Sequence, residues 1–210
     1  MKSESILRKY PFLLLIPCFG IVTFVILYTI AATQYPGGSS FDLAQKGFSL
    51  MHNYWCDLIE PLTHNKLENK GRPLAVFAMN LLIVCLIFMW LFLPKLFSRP
   101  HHNHLIIQIA GVLAMIIALF LVTPHHGWVI NTGGTFGSIA VIFTFLELKK
   151  DGHEFLFKFG IFCLLFFAVN FFFYYSKIWL FILPMLQKIT FLITFYWFGM
   201  LSYKTYQKVK

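Results

Sequence analysis

A chain of 210 residues that is 59% hydrophobic, 19% aromatic and only 12% charged is not a soluble domain, where about a quarter of residues carry charge. Its 17 Lys and Arg outnumber 8 Asp and Glu, but the bases fall in short clusters between apolar runs and form no stripe. That excludes nucleic acid as a partner and fits loops held against the headgroups of membrane lipids.

Lys2, Arg8 and Lys9 precede an apolar stretch that ends near Ala31-Ala32, imitating a signal peptide. The run from 11 to 32 is longer than a typical h-region and further spans follow, so it reads as a retained first helix. Residues 33 to 72 form a long loop that opens with the turn-forming Tyr35-Pro36-Gly37-Gly38-Ser39-Ser40. From Phe41 to Leu62, polar Ser49, His52 or Asn53, Cys56 or Asp57 and Glu60 recur at helical spacing among apolar residues, which predicts an amphipathic helix at the membrane interface.

Further runs long enough to cross a bilayer follow at 73 to 94, 104 to 123, 128 to 147 and 155 to 175. The sixth ends near 203 and starts at 179 or 184, since Pro184 suits a first helical turn while Gln187 and Lys188 interrupt the apolar run. Gly133 and Gly137 have the spacing of a close helix contact. The His101, His102 and His104 group reads as a solvated loop. Cys18, Cys85 and Cys163 lie in apolar runs and only Cys56 in a polar setting, so no disulfide framework is indicated. The expected fold is all-α: one polytopic domain of about six transmembrane helices plus the amphipathic interface helix.

Lys and Arg bias a loop towards the cytoplasm. They gather in the N-terminus, the second and fourth loops and the C-terminal tail, so both termini are expected inside and the long first loop outside. With that orientation Asn80, Asn131, Asn170 and Lys188 fall at similar depth in the outer half of their spans. Polar groups within spans face the bundle interior or a cavity. Each Asn by itself suits an interhelical hydrogen bond and Lys188 by itself suits snorkelling to headgroups. Their shared depth suggests a polar cavity in which Asn53, Asn80, Asn131, Asn170 and Lys188 bind substrate.

Two chemistries suit such a cavity. His52, Asp57, His125 and His126 are of the types that hold zinc, although no HExxH spacing is present. Without metal, His126 would act as general base, Asp57 would orient it, and Ser49 or water would be the nucleophile. No phosphate-binding loop, dinucleotide fingerprint or CxxC pair occurs, so ATP-driven transport and redox chemistry lack support.

Asn53 and Asp57 in an N-x-x-x-D arrangement, Asn80 in the following span and His126 before the fourth span together resemble uncharacterised bacterial multi-pass proteins related to the Frag/DRAM/Sfk group. Where that group more often reads Ser-Asp-Leu-Gly, this chain has Cys56-Asp57-Leu58-Ile59. The resemblance implies a bacterial inner-membrane protein with a role around lipids. Trp55-Cys56-Asp57 and Ser49-x-x-His52 are also similar to the alkaline ceramidase superfamily, whose Ser, Asp and His residues form an intramembrane zinc site. That superfamily has seven spans and a late HxxxH motif that this chain lacks. The expectation is a protein acting on or binding lipid at the outer leaflet, by hydrolysis, with a non-catalytic binder or transporter of a small amphiphile as the alternative.

Overall fold

The computed structural model describes residues 9–99, 101–123 and 126–210, with the backbone alone at His126. Six long helices follow one another: α1 (Ile16–Thr33), α2 (Arg72–Phe92), α3 (His102–Ala118), α4 (His126–Lys150), α5 (Glu154–Ser176) and α6 (Leu183–Val209). Short 3-10 turns extend several of them, giving six apolar spans from Pro11–Thr33 to Leu180–Val209. No strand occurs among the described residues. The chain is an integral, multi-pass membrane protein with an all-α bundle fold.

The helix ends follow from local chemistry. Pro73 sits in the first turn of α2, where its missing N–H costs nothing, and Pro94 ends the regular helix because its ring blocks continuation. The His101 side chain accepts the Asn103 N–H at 3.2 Å and caps α3. The sixth helix starts at Leu183 after a turn at Leu180–Ile182, which settles the start left open by the sequence, and it continues to Val209, carrying Lys204 and Lys208 on its last turns.

Each span is predominantly apolar, as a segment that meets lipid must be. In α1, Phe19, Val22, Ile26 and Ile30 are exposed along one stripe, while Phe24, Tyr28 and Ala31 are buried on the other.

By its contacts the chain divides into two compact units, Met1–Val22 with Asn80–Gly160 and Tyr196–Lys210, and Thr23–Met79 with Ile161–Phe195. In the first, α3 and α4 pack side by side. Gly133 and Gly137 both meet α3, at Ile117 and Ala114, as their spacing predicts. In the same unit Gly111 of α3 lies close against α2, where an added Cβ would be 2.3 Å from the buried Trp90 ring. Gly111→Ala is expected to cost about 1–3 kcal/mol through this overpacking. Thermal unfolding in detergent checks it, with Gly134→Ala, where a Cβ meets nothing within 4 Å, as the neutral control.

In the second unit the structure corrects one expectation: residues 41–62 are not an amphipathic helix. Only Trp55–Leu58 forms a single 3-10 turn. Polar side chains at helical spacing here bond the backbone and displace the helical ladder. The Ser49 N–H donates to Asn53 Oδ1, Ser49 Oγ accepts from Met51 and His52 N–H, and Asp57 Oδ2 accepts from Tyr54 N–H. The loop folds as two tight turns closed by the bridges Gly37↔Lys46 and Leu62↔Glu68. At Gly38, φ is +82° and a Cβ would lie 2.8 Å from Asn65 N, so that position admits only glycine.

Candidate functional site

The 34–71 loop is built around one buried amide. Asn53 is fully buried, and its side chain accepts from Gln45 Nε2 at 2.7 Å and from Ser49 N–H at 3.0 Å. Its amide donates to Gly38 O and to Asp57 Oδ2, both at 2.9 Å. A second amide, Asn69, donates to the carbonyls of Asp57, Leu58 and Glu60, and Arg72 Nε donates to Ile59 O. Every lone pair and N–H so used would otherwise be an unpaired buried group, which is why this irregular segment holds one shape.

The loop is moored to the helices of its unit by Trp55 and Lys188. The Trp55 indole stacks on Phe191 and Phe195 of α6, with centroids at 5.7 and 6.3 Å, and meets Phe24 and Tyr28 of α1 edge-on. The Trp55 carbonyl accepts the Tyr28 hydroxyl at 2.9 Å, and its N–H donates to Gln187. Lys188 is 4% exposed and does not snorkel. Its ammonium donates to the carbonyls of Leu50, Asn53 and Pro184 and lies 5.5 Å above the Phe48 ring. Three carbonyls and an aromatic face replace the water an ammonium would need.

Within this frame a carboxylate and an imidazole meet. Asp57 is 9% exposed, its Oδ2 held by Asn53 Nδ2 and Tyr54 N–H. His64 Nε2 lies 3.3 Å from the same oxygen, with a third of the His64 side chain open. Burial, followed by the Asp57 charge, pushes the Tyr35 hydroxyl up to about 12, so it stays protonated at any physiological pH. Burial, reinforced by Asp57 and Glu60, likewise pushes the Cys56 thiol up to about 11, which keeps it out of nucleophilic chemistry.

The predicted site residues divide between the units. Ser49, His52, Asn53, Asp57, Asn170 and Lys188 belong to the loop's unit, and Asn80 and Asn131 to the other. Ser49 Oγ is taken up by the backbone N–H groups of its own turn. His52 packs against Phe41. Asn170 donates to Thr190 Oγ1 at 2.6 Å, the interhelical bond that suits an isolated Asn. Asn131 is exposed, and Asn80 Oδ1 is buried without a hydrogen-bond partner among the described residues. His125 and the His126 side chain, assigned to metal binding and catalysis, lie outside the described residues. Among the described residues Asp57 and His64 could offer a zinc ion two ligands, and no group of three His, Cys, Asp or Glu side chains is placed to hold one.

His64 is not among the site residues expected from the sequence. It lies seven residues after Asp57, beyond one helical turn, and only the turn at Thr63–Leu67, with Lys66 at φ +63°, returns it to the carboxylate.

A second polar cluster sits in the other unit. Glu147 is buried against Asn103 Nδ2 at 2.6 Å and Lys150 Nζ at 3.1 Å, with His104 Nε2 at 3.4 Å. His102 and His104 therefore belong to α3 rather than to a solvated loop, with His101 as its cap.

Next to it, Asp151 accepts from the N–H and Oγ of Ser98 and lies 3.6 Å from Lys208 and from His153. Burial raises its carboxyl, but the Ser98 donors, followed by Lys208 and His153, outweigh burial and hold it below the ordinary 3.8. A carboxylate with a depressed folded-state value contributes stability that is present above 3.8 and is lost as pH falls through the lower value. The stability gap between wild type and Asp151→Asn is expected to be full at pH 7 and to close below about pH 4; a gap unchanged from pH 7 to 3 would refute this ionic role.

Compared with protein-family models, curated protein sequences and solved structures, the chain matches none.

Proposed function

We propose that this protein acts on lipid at the extracytoplasmic membrane surface as a hydrolase whose general base is His64, oriented by Asp57. The observation that carries the reading is the contact of His64 Nε2 with Asp57 Oδ2 at 3.3 Å, on a loop tethered at both ends to membrane spans. A base oriented by a fixed carboxylate is the recurring element of hydrolytic sites, and its hydrogen bonds are often long before substrate is bound. With Nε2 turned to Asp57, Nδ1 is left to take a proton from water. The resulting hydroxide adds to the carbonyl carbon or phosphorus of a lipid ester, and the leaving alkoxide recovers the proton from the imidazolium.

Asn53 belongs to this machinery as the group that positions Asp57. Lys188 and Asn170 support the loop and its helices. Kinship with the Frag/DRAM/Sfk proteins and placement in a bacterial inner membrane with both termini inside are part of the same proposal. The alternative, a non-catalytic binder or transporter of a small amphiphile, is favoured by the groove of about 420 Å³ lined by Phe120, Thr123, Trp128 and Val129.

Protein reconstituted into vesicles of phosphatidylethanolamine and phosphatidylglycerol decides between them. Released fatty acid, glycerol or headgroup, measured by mass spectrometry, should appear with wild type and disappear with His64→Gln. Lipid retained without any cleavage product would leave the binder as the reading.

A further inference from the structure

The last turns of α6 place Lys204, Gln207 and Lys208 at i, i+3 and i+4, on one face of the helix. That face borders a groove of about 380 Å³ completed by Leu96, Ser98, Asp151 and His153. All of these residues belong to one compact unit. The groove lies at the level where spans end: Arg72–Leu96 finishes there, Gly127–Lys150 finishes and Glu154–Ser176 begins beside it. Lipid phosphates occupy this level of a bilayer.

The charges in the groove are unevenly committed. Asp151, its one carboxylate, is already used by Ser98, Lys208 and His153. Lys208 is tied to Leu96 O and Ser98 Oγ. Lys204 is a second cation on the same wall, with no carboxylate set against it among the described residues, and the Gln207 amide lies one turn along. The neighbouring connections add Arg99 and Lys149, while Lys150 is paired with Glu147. A shallow, net positive surface at headgroup depth, lined by Lys204, Gln207 and Lys208 beside apolar Leu96, is complementary to a phosphate whose acyl chains leave towards Leu96.

We infer that this groove binds a phosphate oxyanion, carried by the headgroup of an anionic lipid, with Lys204 as its main cationic contact and Gln207 as a hydrogen-bond donor. The site is separate from the Asp57 and His64 residues and does not depend on the hydrolytic reading.

Delipidated protein in neutral detergent is titrated with phosphatidylglycerol, with phosphatidylcholine, and with inorganic phosphate, and bound lipid is counted by native mass spectrometry alongside the shift in melting temperature. Phosphatidylglycerol should bind wild type more tightly than phosphatidylcholine, and Lys204→Gln should weaken it about fivefold, the effect of one lysine at a charged headgroup. Lys158→Gln, which removes an exposed lysine paired with Glu154 outside the groove, should leave binding unchanged. Among the described residues the Lys204 side chain makes no hydrogen bond or ion pair, and it is exposed, so loss of folding is not expected to obscure the result. Stabilisation by inorganic phosphate that Lys204→Gln abolishes would support the oxyanion site and identify a soluble source. Equal binding of the two lipids, or equal loss in both lysine variants, would overturn the inference in favour of diffuse surface attraction.

Discussion

Lys188→Met is expected to lower stability by about 2–5 kcal/mol and to release the 34–71 loop, the largest stability effect of any single substitution considered. Methionine keeps the length and apolar character of the stem but leaves the Leu50 and Asn53 carbonyls without the ammonium that now donates to them. The buried Asn53 carbonyl deprived of its donor costs about 1–3 kcal/mol, and the part-buried Leu50 carbonyl less. The Pro184 carbonyl is less affected, because it lies one turn back on the same helix and keeps its helical role. Thermal unfolding in detergent, with limited proteolysis inside the loop, checks this. A variant as stable and as protease-resistant as wild type would mean that Trp55 and its aromatic neighbours hold the loop alone.

His64→Gln is expected to reduce lipid cleavage by about 10²–10⁴-fold, the range that a positioned base contributes, while leaving the melting temperature within a degree or two. Gln has no titrating ring nitrogen, and His64 is the more exposed member of the pair, so little packing is lost. Asp57→Asn should cut the rate as well but also lower stability, since its Oδ2 is an acceptor for Asn53 and Tyr54 and the substituted amide can turn a donor towards them. In the proposed mechanism the two residues act as a unit, so the double variant should be scarcely slower than the slower single variant. Multiplicative losses in the double variant, or full cleavage by His64→Gln, would separate the pair from catalysis and leave it as a loop fastening.

Of the fold, the spans were legible because the signal is local. About twenty apolar residues bounded by turns or charges must form a helix whatever surrounds them, since lipid offers no partner to an open backbone. Five of six spans read from the sequence begin and end within a few residues of those observed. The sixth was blurred by Lys188 and Gln187, whose polarity answers to a loop some 130 residues away rather than to its own helix. The 41–62 segment misled for the opposite reason. Its polar residues recur at helical spacing, but Ser49, Asn53 and Asp57 use that spacing to bond the backbone of turns. Asn53 and Asp57 stood out in the sequence and do meet, at 2.9 Å. The imidazole beside them did not stand out, because seven residues of helix would hold Asp57 and His64 about 10 Å apart, and only the turn after Thr63 brings them into contact.

What the sequence by itself determined is therefore a membrane-embedded bundle of six helices, a consequence of hydrophobic run length that needs no long-range information. What only the tertiary structure decided is how the polar remainder is satisfied: Lys188 by distant carbonyls, Asp57 by Asn53 and His64, Asp151 by Ser98 and Lys208. Burying a polar group is tolerable only with a partner. Which partner it finds depends on turns and helix contacts that bring remote parts of the chain together, not on its neighbours in sequence.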